Sequence, residues 1–188
     1  MSGVWVRAFP PEEKEVFKPY DELISPRNMP DTNAQPVAYF YLFFTLNLMK
    51  QFVKETNRCH ELIIHMCMIA KTFIATIGAN SRVHIWLKHG QLNIKEFKEF
   101  IAVILNMGLI RKPTLEQYWK TPWFREMFSR NRFQLILKFL HVVNNKTIPS
   151  KGQQGYRPDA KFKPVIDHFN MRSKYLYKPS QKLSIDES

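Results

Sequence analysis

Between Met127 and Pro158 the sequence contains no acidic residue, while Arg130, Arg132, Lys138, Lys146, Lys151 and Arg157 accumulate. Side chains of this type suit one chemistry above others, the neutralisation of phosphate groups. Arg130, Gln134 and Lys138 recur every four residues, which places them on one helix face. Arg111 and Lys112 stand just after Gly108, in a turn from which they could reach a phosphate. A solvated basic surface with no ligand reads the same way, so charge supports DNA binding without establishing it. The formal net charge is +12 and is unevenly placed. Residues 1–35 carry a net −2, and residues 36–188 a net +14.

Two further groups could do chemistry. Cys59 and Cys67 lie beside His60 and His65, which makes a metal site conceivable. Their spacing fits no usual zinc pairing, and two cysteines are too few for a disulfide scaffold. An ordinary helix with partly buried polar side chains is the favoured reading. At the other end, Leu183 and Ile185 alternate with Ser184, so Lys182–Asp186 reads as a short strand carrying Asp186. Glu187 cannot work with Asp186, because neighbouring side chains on a strand point to opposite faces.

The elements that must position these residues are mainly helical. Asn93 and Glu96 form a capping-box pattern, after which Ile94, Phe97, Ile101 and Ile104 recur at helical spacing, with Gly108 as the expected stop. Pro113–Thr114 opens a short helix bearing Tyr118 and Trp119. Thr121–Pro122 opens another, with Trp119 and Trp123 expected to pin its neighbours together. Ser129 caps a fourth, with Phe133, Ile136, Leu137 and Leu140 inward and Arg130, Gln134, Lys138 and His141 outward. Upstream, Val37–Thr56 reads as a helix with Phe40, Phe43, Phe44, Leu48 and Phe52 on its core side. Asn57 is expected to end it, and Glu61–Gly78 to form a second, apolar helix. Asn144–Pro158 reads as a basic loop, and Pro164 as the start of a helix with Val165, Ile166 and Phe169 inward.

The first 35 residues hold no hydrophobic period longer than a turn and read as a polar, flexible arm. No signal peptide is visible in them. Val37–Met49 is too short to cross a bilayer, and Leu62–Ala79 is interrupted by His65 and Lys71. The expectation is a protein with no membrane span.

Several short motifs occur together and in order. They are KETN (Lys54–Asn57), Trp86, MGLIRKPTLEQYW (Met107–Trp119), MFSRNRF (Met127–Phe133) and FLHVVNN (Phe139–Asn145). FKPVIDHFN (Phe162–Asn170), YKPSQ (Tyr177–Gln181) and LSIDES (Leu183–Ser188) follow. This series resembles the piggyBac-type transposases and their domesticated derivatives, over roughly residues 36–188. The apolar Glu61–Gly78 stretch departs from the family, where a polar connection is usual.

The resemblance implies a helical dimerisation and DNA-binding domain over residues 36–181, after the arm of residues 1–35. Residues 182–188 would be the first strand of a truncated RNase H-like domain. It makes Asp186 the first of three catalytic aspartates, which in the full-length family hold Mg²⁺. Two such ions ~4 Å apart need several carboxylates, so one alone assembles no site and no cofactor is expected in the chain as written. The implied partner is double-stranded DNA, with Arg111, Lys112, Arg130, Arg132, Lys138, Lys146 and Lys151 as its contacts. A homodimer or other transposase subunits are further partners, and the implied location is nuclear. Three functions follow as expectations: a transposon-derived, non-catalytic DNA-binding protein, the N-terminal part of an active transposase, or a helical interaction module working through residues 61–78.

Overall fold

The computed structural model describes residues 25–69, 86 and 88–179, and among these the chain is mainly helical. In chain order the elements are β1 (Ser25–Pro26), α1 (Pro36–Phe43), α2 (Leu46–Ile69) and α3 (Ile94–Leu109). Then come α4 (Leu115–Tyr118), α5 (Pro122–Met127), α6 (Arg130–Phe139), a 3-10 turn (Asn145–Thr147), α7 (Lys163–Leu176) and β2 (Tyr177–Lys178). The side chains of residues 63–69, the apolar stretch after them and residues 180–188, where a strand carrying Asp186 is expected, lie outside the described residues.

The helical run expected from Val37 to Thr56 is broken at Thr45. The Thr45 hydroxyl accepts from Leu48 N–H at 3.4 Å, and the Thr45 carbonyl accepts from Met49 N–H, so a new helix starts there. Two residues of α7 receive the carbonyls that α1 leaves behind. His168 Nε2 donates to Phe43 O at 2.8 Å, and Arg172 Nε donates to Leu42 O. A cation at a helix C-terminus also complements the helix dipole.

Asn57 does not end its helix. α2 continues through it for 24 residues in all, and the Asn57 amide instead serves a distant segment. Its Nδ2 donates to Leu92 O and its Oδ1 accepts from Leu92 N–H, both at 2.9 Å. Leu92 is buried, so the side chain replaces a strand-like partner that the backbone has nowhere else to find. Gly108 likewise lies inside α3, which ends one residue later, with Ile110 N–H reaching Asn106 O.

The core is an aromatic chain. Phe40, Phe44, Phe52, Phe97, Phe100, Phe133 and Trp119 follow one another at ring separations of 5.1–6.2 Å, linking α1, α2, α3, α6 and the end of α4. Phe40, Phe44 and Phe52 pack against the core as expected, whereas Phe43 is exposed at the end of α1, with its ring facing Phe169 at 6.3 Å. Trp119 is pinned by its Nε1–H, which donates to Phe128 O at 2.7 Å. Trp123, expected to act with it, is 36% exposed and only edges against Phe124. In α6, Leu137 is half exposed, while Leu135 and Phe139 take the inner positions beside Phe133 and Ile136. In α7, Ile166 points outward, whereas Val165 and Phe169 are half-buried as expected.

Residues 25–35, read as part of a loose arm, are tied down. β1 pairs antiparallel with β2, Ser25 opposite Lys178, and the Asn28 side chain donates to Tyr175 O at 3.0 Å. The sheet joins the segment before α1 to the end of α7.

Replacing Asn57 by alanine would leave the buried N–H and C=O of Leu92 without partners. We expect Asn57→Ala to lose about 2–4 kcal/mol in urea denaturation. An exposed helix-ending asparagine would cost well under 1 kcal/mol.

Candidate nucleic-acid interface

The basic face rests on α6 and the turn before α4. Ser129 caps α6 by accepting from Arg132 N–H at 3.2 Å, which sets the helix phase. In that phase Arg130, Gln134 and Lys138 are exposed along one side, while Phe133, Ile136 and Phe139 are buried on the other. Arg111 and Lys112 occupy the turn between α3 and α4 and are also exposed. Tyr118 holds that turn: its hydroxyl accepts from Lys112 N–H at 3.0 Å and donates to Met107 O at 3.3 Å.

Helix α4 brings part of the basic set together. Glu116 on α4 pairs with Arg130 at 3.3 Å, so the start of α6 and the Arg111–Lys112 turn meet the same short helix. The pair is solvent-exposed and adds little stability. Its carboxylate also cancels part of the local positive field. Lys138 lies two helical turns further along α6. Lys146 follows in the 3-10 turn, whose Asn144 side chain accepts from Lys146 N–H at 3.1 Å. Lys151 is exposed in the loop beyond, which is shaped by positive φ at Gly152 and Gly155. Arg157, by contrast, is spent on Asp159 through two hydrogen bonds.

Arg132 departs from the sequence expectation. It is 3% exposed and paired with Glu96, Nε to Oε1 at 2.6 Å and Nη2 to Oε2 at 2.8 Å. Nη2 also donates to Gly90 O at 3.2 Å, and the guanidinium lies 4.5 Å from the Trp86 ring centre. Arg132 follows directly the side that Ser129 turns inward, and a carboxylate waits there. The capping box expected at Asn93 is therefore half formed. Asn93 accepts from Glu96 N–H at 2.9 Å, but the Glu96 carboxylate is taken by Arg132. His141 is also drawn inward, with Nδ1 at 2.9 Å from Phe139 O and Nε2 at 3.7 Å from Cys59 Sγ. Thr56 and the His141 backbone exchange hydrogen bonds across the same junction. Burial pushes the Cys59 thiol up from its ordinary range.

The sequence marks His60 only as a neighbour of Cys59. It stacks on Trp86 at 4.9 Å and meets Phe139 edge-on at 5.5 Å. Burial, reinforced by the Arg132 charge, pushes it down to about 4. Nothing in the sequence spacing joins His60, Trp86, Glu96 and Arg132, because the four come from separate segments. Among the described residues no group of three or more His, Cys, Asp or Glu could hold a metal ion, and Asp186 lies outside them.

The sequence profile of a family described as Transposase IS4 matches residues 35–188. The chain belongs to the piggyBac-type transposase family. The human PiggyBac transposable element-derived protein 5 is 25% identical over 166 residues, covering 86% of this chain and 28% of that protein. The human PiggyBac transposable element-derived protein 2 is 24% identical over 143 residues, covering 72% of this chain and 19% of that protein. The piggyBac-type chain thus spans about a quarter of the length of the curated relatives it matches. No solved structure matches it. No helix among the described residues is long and apolar enough to cross a membrane.

Two outcomes test the buried cluster. Arg132→Ala should cost about 3–5 kcal/mol in chemical denaturation, since Glu96 is left largely buried without a partner. Arg132→Met combined with Glu96→Leu should recover most of that loss. For His60, the unfolded chain takes up a proton below about 6.5, whereas the folded chain takes it up only near 4. Stability is therefore full above pH 6.5 and falls as pH drops toward 4. Comparing melts at pH 7.5 and 4.5, His60→Phe should remove about 2–3 kcal/mol of the acid-induced loss.

Proposed function

We propose that this chain is a transposable-element-derived DNA-binding module that grips duplex DNA through its phosphates. The observation that carries the reading is the exposed Arg130–Gln134–Lys138 stripe, lying opposite the buried Phe133, Leu135, Ile136 and Phe139 in a member of a transposase family. Arg111 and Lys112 extend that face toward α4, and Lys146 and Lys151 extend it past the end of α6. Arg132 is not among the contacts, because its guanidinium is committed to Glu96. A net charge of +14 over residues 36–188 supplies long-range attraction for a polyanion. The same family relation supports a nuclear location.

The proposed role of residues 36–179 is DNA binding, and cleavage of DNA would need carboxylates in addition to Asp186. Asp186 is the one position that matches a catalytic aspartate of the family, and a single carboxylate cannot hold two metal ions. A second reading is favoured by the coverage of the relatives. The chain matches 28% and 19% of their lengths, which suits the N-terminal part of a longer transposase-derived protein. In that reading Asp186 becomes a Mg²⁺ ligand beside carboxylates supplied further along. The pairing of subunits through the apolar stretch around residues 61–78 is the third reading, and it predicts association that does not depend on DNA.

Fluorescence anisotropy with a labelled 20-base-pair duplex tests the first reading. Six phosphate contacts give an affinity that falls about 10³-fold between 50 and 200 mM salt. Arg130→Glu and Lys138→Glu should each weaken binding and make the salt dependence shallower by about one contact. Salt-independent affinity, or no binding at 50 mM salt, would overturn the proposal.

A further inference from the structure

Of the exposed cations assigned to the DNA face, Arg130 alone is paired with a carboxylate among the described residues. Arg111, Lys112, Lys138, Lys146 and Lys151 have no such pair there. Two arginines at the start of α6 thus meet glutamates in opposite ways. Arg132 holds Glu96 by two hydrogen bonds, of 2.6 and 2.8 Å, and its side chain is 4% exposed. Arg130 meets Glu116 through one contact, Nη1 to Oε1 at 3.3 Å, with side chains 44% and 71% exposed. The first pair is bidentate and structural. The second is open to water, where an ion pair is worth little, and another anion can displace it.

Helix α4 keeps the Glu116 carboxylate at this face. Tyr118 and Trp119, which follow closely, are buried. The Tyr118 hydroxyl is tied to Lys112 N–H and Met107 O, and the Trp119 Nε1–H to Phe128 O. The backbone of Glu116 cannot retreat without undoing these bonds, so only its side chain can swing. A phosphate arriving at Arg130 therefore displaces a carboxylate that remains close by. Like charges held at that range repel, and with a Debye length of about 10 Å at 0.1 M salt the repulsion is felt.

We propose that Glu116 is a built-in competitor for the phosphate that Arg130 would hold, and so sets how tightly the α6 face keeps DNA. The inference rests on the DNA-binding reading above and adds a regulating residue to it. Neutralising Glu116 frees Arg130 for phosphate and removes the repulsion. The affinity then rises, and rises most at low salt, because one more cation contributes to counterion release.

Anisotropy with the labelled 20-base-pair duplex tests this on the 188-residue chain. Glu116→Gln should bind about five-fold tighter at 50 mM salt. The gain should shrink to about 1.5-fold at 200 mM, since one added contact contributes a slope of about −0.9. In an Arg130→Gln background the same substitution should change affinity by less than about two-fold. Asp167→Asn breaks the comparable exposed pair with Lys163 on α7, and it too should stay under about two-fold. A gain that survives without Arg130, or that Asp167→Asn matches, would show a general field effect and overturn the proposal. A gain with glutamine that Glu116→Ala does not reproduce would come from the new amide and overturn it as well. Equal binding by the starting chain and Glu116→Gln overturns this inference alone. No binding by either at 50 mM salt overturns the DNA-binding reading together with it.

Discussion

The ion pair between Arg132 and Glu96 is the constraint around which the rest of the chain is arranged. It joins the first turns of α6 and α3, and its cation lies over Trp86, on which His60 of α2 also stacks. A guanidinium removed from water is costly unless its donors are met, and here three hydrogen bonds and an aromatic ring meet most of them. One nitrogen, Nη1, has no partner among the described residues, and neither do His60 Nε2 and Trp86 Nε1. The cluster is thus held by charge, stacking and packing, with hydrogen bonding incomplete. Its geometry requires His60 to stay neutral, which is why acid acts on it.

That arrangement also decides which cations remain outside. Once Arg132 turns inward, α6 keeps Arg130, Gln134 and Lys138 on its outer side, and the apolar inner side fixes the helix against rotation. A stripe on a helix that cannot roll presents its charges at a constant spacing, as a repeating phosphate backbone requires. The aromatic chain from Phe40 to Trp119 extends this rigidity from α6 to α1. At the far end, α7 completes the unit by donating from His168 and Arg172 to the last carbonyls of α1 and pairing its own continuation with Ser25–Pro26.

Family membership sharpens some of this and leaves the rest to physics. The match over residues 35–188 accounts for the order of the motifs, and several of them have visible structural duties. The asparagine of KETN holds Leu92, the tyrosine of LEQYW holds the turn bearing Lys112, and the histidine of FLHVVNN packs against Cys59. These residues shape the scaffold. The cations between them, Arg111, Lys112, Arg130 and Lys138, are exposed.

Local signals in the sequence determined much of the fold. Ser129 and Asn93 mark helix starts because a side-chain oxygen three residues ahead of an N–H needs nothing distant to form its bond. Pro36, Pro122 and Pro164 begin helices for an equally local reason, a fixed φ and no N–H to lose. The exposure of Arg130, Gln134 and Lys138 on α6 followed from helical period alone. Only the tertiary structure decided the fate of groups whose partners lie far along the chain. Asn57 carried a helix-ending signal and became a brace for Leu92, 35 residues away. Arg132 carried the same charge as Arg130 and Lys138, yet it is buried because Glu96, 36 residues upstream, faces it. Composition counts a charge equally wherever it falls. Its free energy depends on the dielectric and the partner around it, and the packing of helices sets both.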